Sequence, residues 1–235
     1  MDQIFGELLK NLGYIPKYFV ALAQIFLRPR NYLAALPASD EEQLAPALIF
    51  LALSCIILAL STLPFSPAKE STVLFLAARA VVLAVMMLVY ALVIHLSWRI
   101  VGGKETFLRC FILSIYISSV ASLILLVFFL IATSTIVALD PDLAHAMISS
   151  GLTPIPLDQS QLLLASIYLG TIFLGAIIAS LWFMLAWGAY RDANQVSRLR
   201  SALAFCLAGI LALPVLAVTV LISLAIDMIA QRGAV

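Results

Sequence analysis

The sequence predicts an all-α, polytopic membrane protein: five transmembrane helices preceded by cytoplasmic amphipathic helical segments. Three observations lead there. Of 235 residues, 64% are hydrophobic and 11% charged, and the mean hydropathy is +1.15, a balance that excludes a water-soluble domain. The apolar residues gather into runs long enough, at about 1.5 Å per residue, to cross a hydrocarbon layer about 30 Å thick. The 13 Lys and Arg residues crowd some connections and avoid others, which is the signature of sidedness.

Residues 1–44 precede the first run and form a cytoplasmic or interfacial segment. Ile4, Phe5, Leu8, Leu9 and Leu12 recur at helical spacing opposite Gln3, Glu7, Lys10 and Asn11, the pattern of an amphipathic helix. A second such stretch runs from Lys17 to Leu27, between Pro16 and Arg28-Pro29-Arg30. Two placements fit it: an anchor on the cytoplasmic leaflet, with Lys10, Lys17, Arg28 and Arg30 toward anionic headgroups, or helices packed on the protein's own cytoplasmic surface. Asp2, Glu7 and Lys10 lie among the first apolar positions, so no cleavable signal peptide is expected.

The spans follow in order. Asp40-Glu41-Glu42-Gln43 caps a first span from Pro46 to about Leu63, ended by Pro64 and Pro67. The second runs from about Val73 to Trp98 and the third from Phe107 to about Val137. Residues 138–161, with Asp140, Pro141, Asp142, Pro154, Pro156 and Asp158, form the longest polar connection and hold no Lys or Arg. The fourth span runs from about Leu162 to Tyr190, and the fifth from about Ser201 to Ile226, with Pro214 as a kink. The membrane domain is thus 45–227, and 228–235 is a short extracytoplasmic tail.

Lys10, Lys17, Arg28, Arg30, Arg99, Lys104, Arg109, Arg191, Arg198 and Arg200 share one side, against Lys69, Arg79 and Arg232 on the other. The amino terminus is therefore expected in the cytoplasm and the carboxyl terminus outside.

Small residues every four positions suggest how the spans associate, because helices in lipid gain most where their backbones approach closely. Ser114/Ser118/Ser122, Thr171/Gly175/Ala179 and Ala204/Ala208/Ala212 would bring the third, fourth and fifth spans into one bundle.

Candidate functional residues are few. In the turn Trp98 to Phe107, Gly102 can adopt the left-handed conformation that stops a helix, Gly103 lets the chain reverse, and Thr106 can cap the next helix. Arg99, Lys104 and Arg109 fix the sidedness of this turn and are candidates for contact with lipid or a partner. Glu105 and Arg109 stand four apart in the order that favours a helical ion pair. His95, Tyr116 and Ser118 are candidates for a polar core or path, and Arg79 with Asp227 for an ion pair near the outer surface.

Trp98, Trp182, Trp187, Tyr18 and Tyr190 suit an aromatic belt. Cys55, Cys110 and Cys206 lie singly in apolar runs, and His95 and His145 are the two histidines, so no metal site or cofactor is expected. Protease, hydrolase and phosphate-loop motifs are absent, which leaves no case for an enzyme. Nucleic-acid binding has no basic footprint.

The stretch His95-Leu96-Ser97-Trp98-Arg99-Ile100-Val101-Gly102-Gly103-Lys104-Glu105-Thr106-Phe107, followed by Tyr116-Ile117-Ser118, resembles the Yip1 family and especially its bacterial members. Arg198 to Pro214 is similar to that family's last helix. The resemblance covers about 45–226 and implies a five-span fold in the inner membrane. Eukaryotic members are associated with Rab proteins and vesicle traffic, but Asp40-Glu41-Glu42 is not followed by the family's Gly-Pro, which points away from Rab-type partnering. The expected function is a non-enzymatic organiser of membrane and protein partners, acting with the bilayer and either a membrane-protein partner or further copies of itself. The alternative is a small transporter or channel for an ion or small solute.

Overall fold

A computed structural model describes residues 14–37, 40–62, 72–144 and 158–233, and within them all side chains except those at 62, 72–80, 83, 216 and 219–233. The amphipathic stretch from Ile4 to Leu12 and His145 lie outside the described residues.

Seven helices account for nearly all of the described chain, and no strand occurs among the described residues: α1 (Tyr14–Leu27), α2 (Pro29–Ala34), α3 (Asp40–Thr62), α4 (Thr72–Ile100), α5 (Phe107–Leu139), α6 (Gln159–Asn194) and α7 (Arg198–Gly233). Four of them are long and apolar enough to cross a membrane: α3, α5, α6 and the Arg198–Val215 part of α7. In α4 the described apolar stretch is Ala84–Ile100, shorter than a span, although the helix itself has 29 residues.

Helix α3 begins at Asp40 rather than at Pro46, so Asp40, Glu41 and Glu42 form its first turn, where the helix dipole favours negative charge. Helix α6 begins with a capping box: the Asp158 carboxylate accepts the Gln161 amide, and the Gln161 side chain returns to the Asp158 amide. It ends at Gln195, which takes the left-handed conformation with φ 52°.

The exterior is apolar. Leu163, Phe173, Leu185 and Leu213 are each more than 60% exposed, and such large side chains over whole helix faces suit a hydrocarbon surround rather than water. Four long apolar helices with this exterior are compatible with an integral membrane protein.

Helix α5 is the hub. Its most extensive interface is with α6, followed by those with α3 and α4. The small residues expected at the α5–α6 seam are there: Gly175 lies directly on Phe128, and Ser114 meets Tyr190. The expectation for the fifth span is corrected. Helix α7 packs mainly along α4, and meets α6 near their connection through Phe205 against Phe183 and Trp187. Ala204 is buried, but a small-residue rhythm reports that a face can be approached, not which helix approaches it.

The α1–α2 segment is not a cap on the helix ends. Tyr18 hydrogen bonds to Ser54 of α3 (3.0 Å), and the Trp182 indole of α6 donates to the Phe26 carbonyl (2.9 Å). Ser54 lies 14 residues into α3 and Trp182 lies 12 residues from the end of α6, so α1 crosses the bundle about 20 Å along from the end that carries the Trp98–Phe107 turn. Helix α2 then leads back toward that turn end, where Arg30 reaches Asp192.

Candidate functional site

The turn end gathers the start of α3, the end of α4, the start of α5, the end of α6 and the start of α7. Trp98 and Tyr190 are fully buried there, with Trp98 stacked on Trp187 at 5.1 Å. The Trp187 indole donates to the Ser201 carbonyl (3.2 Å), which joins α6 to the first turn of α7.

The turn closes as the glycines lead one to expect. Gly102 has φ +89°, its amide donates to the Arg99 carbonyl (3.1 Å), and the Gly103 amide donates to the Trp98 carbonyl (2.7 Å). Gly103 has a second reason to be glycine: a β-carbon there would collide with the Asn194 side chain and stand 2.8 Å from the Trp98 carbonyl oxygen. Asn194 is 2% exposed, donates to the Tyr190 carbonyl (3.0 Å) and accepts from the Glu105 amide (3.3 Å). It therefore locks the turn to α6. Sequence reasoning missed Asn194; the one local signal was a polar side chain at the end of an apolar run.

Below it, Ser114 Oγ lies 2.7 Å from Tyr190 Oη and 2.7 Å from the Cys110 carbonyl. The serine has one proton, and the carbonyl can only accept, so Tyr190 is the donor to Ser114. The same logic makes Tyr18 the donor to Ser54, whose proton goes to the Phe50 carbonyl.

Thr106 caps α5 as expected by accepting the Arg109 amide (3.1 Å), and it also donates to Asp40 (2.9 Å). Arg109 does not pair with Glu105. Its guanidinium donates to the Pro37 carbonyl (3.0 Å) and lies 3.8 Å from Asp40, because the start of α3 folds against the start of α5 and offers a carboxylate and a carbonyl together. Arg30 lies across Gly188 and donates twice to Asp192, whose other oxygen accepts from Arg191.

Among the described residues, Lys104, Arg198 and Arg200 remain exposed with no carboxylate within ion-pair distance. Arg200 reaches over Gly102, and Arg99, also exposed, donates to the Gly103 carbonyl (3.4 Å). The turn end thus presents a basic surface on a base tied together by the Asn194, Tyr190 and Trp187 hydrogen bonds, in which the buried Trp98 Nε1 has no partner among the described residues.

The other candidates are dispersed. Tyr116 is buried against Phe50 (5.0 Å) and Tyr32 (6.0 Å), while Ser118, two residues on and half-buried, projects from a different face of α5. His95 is half-buried with its ring edge-on to Phe107 at 5.6 Å, and its Nδ1 has no partner among the described residues. These three are not brought to one place. Helices α4 and α7, which carry Arg79 and Asp227, pack together, but those two side chains lie outside the described ones. No group of three metal-ligating side chains occurs among the described residues.

An apolar groove of about 360 Å³ runs between α1 and α5. Phe19, Leu22, Ala23 and Phe26 form one wall, and Val120, Leu123, Ile124 and Val127 the other.

No family model matches this chain, and no curated protein or solved structure is found to be similar to it.

Proposed function

We propose that this chain is a Yip1-type integral membrane protein that organises partners without catalysing a reaction. It crosses the bacterial inner membrane five times, with the turn end and the amino terminus in the cytoplasm and the carboxyl terminus outside. The 29-residue length of α4, about 44 Å of helix, supports counting it as a span in addition to the four long apolar helices.

The observation that carries the functional reading is the contrast between the basic turn end and the rest of the molecule. Lys104, Arg198 and Arg200 stand unpaired among the described residues on a base fixed by Asn194, Trp98 and Tyr190. A cationic surface that is rigid and unmatched among the described residues is prepared to meet an acidic partner or anionic headgroups, since complementary charge speeds and orients association. A transporter needs a polar route, and the candidates for one are spread over separate faces, while the groove beside α1 is lined by apolar side chains.

The test is affinity capture from native membranes with the Lys104→Gln, Arg198→Gln, Arg200→Gln triple variant beside the unaltered chain. The reading expects a reproducible acidic protein partner, or co-purified anionic lipid, that the triple variant loses while its thermal midpoint holds. Equal recovery by both forms would count against it.

A further inference from the structure

We propose that the groove between α1 and α5 is a phospholipid site, with an acyl chain lying along the groove and the lipid phosphate held by Arg28. The inference deepens the organising function and rests on the reading of the chain as membrane-spanning.

Depth decides the occupant. The groove lies alongside α5 between Val120 and Val127, about 21 to 31 Å from the Thr106 cap, in the interior of a helix apolar enough to cross a membrane. The medium against such a surface is acyl chain, and water would find no hydrogen-bond partner there because every lining side chain is apolar. The helical backbones of both walls satisfy their own amides, so nothing in the groove calls for a polar ligand. The Phe26 carbonyl, which α1 would otherwise leave without a partner in its last turn, is taken by Trp182.

Charge decides the headgroup. Two residues beyond Phe26 the chain turns toward the turn end, and the two arginines of that bend differ. Arg30 is matched by Asp192 at 2.6 Å, whereas Arg28 is exposed and has no ion-pair or side-chain hydrogen-bond partner among the described residues. Arg28 is placed between the level of Phe26, which meets α6 about 18 Å from its end, and that of Arg30, which meets its last turn. That is where the phosphate of a lipid whose chain fills the groove would stand, and a guanidinium suits a phosphate.

The site is tested by native mass spectrometry of the full chain in detergent, titrated with dioleoyl phosphatidylglycerol and separately with dioleoyl phosphatidylcholine. Every form carries the Lys104→Gln, Arg198→Gln, Arg200→Gln background, which removes headgroup binding at the turn end. One saturable lipid is expected, with the anionic lipid favoured about fivefold, as one cation near a lipid surface supplies. Ala23→Phe and Val127→Phe fill the groove from opposite walls at exposed positions, and each should weaken both lipids at least tenfold with the thermal midpoint unchanged. Arg28→Gln should leave binding in place and abolish the preference. An unsaturating adduct series that is the same in the form unaltered in the groove and at Arg28 and in both filled variants would overturn the site. A preference that survives Arg28→Gln would overturn the headgroup assignment. Equal partner recovery by the unaltered chain and the turn-end triple variant, with groove lipid binding intact, would sink the partner function alone.

Discussion

Replacing Gly175 by alanine tests the α5–α6 seam that positions the rest of the bundle. A β-carbon at Gly175 would stand 2.5 Å from Phe128 Cβ and 2.7 Å from its Cγ. Carbon atoms in good contact sit about 3.5 to 4.0 Å apart, so the two helices must separate by about 1 Å. Rotation of Phe128 does not relieve this, because the nearest atom is its Cβ, which is fixed to the backbone. A gap of that size forfeits a quarter to a half of each dispersion contact along the seam, and overpacking of this kind costs about 1–3 kcal/mol. Against that stands about 1 kcal/mol from replacing glycine in a helix, leaving a net loss of up to about 2 kcal/mol. Gly170 on the same helix is the internal control, since a β-carbon there meets nothing within 4 Å; Gly170→Ala should be neutral or slightly stabilising. Reversible unfolding by SDS in mixed micelles gives both values. Equal stability of the two variants would refute close packing at Gly175.

Three further outcomes follow from the same geometry. Trp182→Phe removes the donor to the Phe26 carbonyl and should cost about 1 kcal/mol, with faster proteolysis near Arg28 as the sign that α1 has loosened; unchanged cleavage would argue that α1 is held by other contacts. Gly102→Ala places an alanine at φ +89° and should cost about 1–2 kcal/mol, while Gly103→Ala should cost more because it also displaces Asn194; the reverse order in the same unfolding assay would contradict the Asn194 lock. The Gln161 amide and the Ser160 hydroxyl hold the Asp158 carboxyl below its ordinary value. Its stabilisation of the α6 start is therefore complete above the ordinary carboxylate range and is lost as pH falls through the lowered value. The Gln161 amide resonance should follow that titration, and a resonance indifferent to acid would remove the cap from the account.

The long helices were legible because uninterrupted apolar runs have few other solutions in a bilayer, and the expected spans from Phe107 and from about Leu162 fall inside α5 and α6. The Gly102 conformation was legible too, since a basic turn between two such runs leaves little choice of geometry. What the sequence did not disclose was which helix lies beside which. Helix α1 is the clearest case: Tyr18, Ala21, Leu22 and Ile25 face the core, but Phe19, Val20, Phe26 and Leu27 are as apolar and lie exposed. A helix greasy on most sides carries no mark of its depth. Asn194 was hidden for the converse reason, because its partners, the Glu105 amide and the Tyr190 carbonyl, are backbone groups that every residue possesses. Arg109 found Asp40 across 69 residues instead of Glu105 four away, since a local pair is worth only about 0.3–0.5 kcal/mol and is easily displaced.

The functional reading turns on whether the basic turn end is a docking face. A photo-crosslinking residue placed at Lys104, and separately at Leu139 at the far end of α5, would be activated in native membranes. The expected result is a discrete crosslinked partner from position 104 that disappears when Arg198 and Arg200 are changed to Gln, with none from position 139. The same products from both ends, or a product at 104 indifferent to the two arginines, would contradict it.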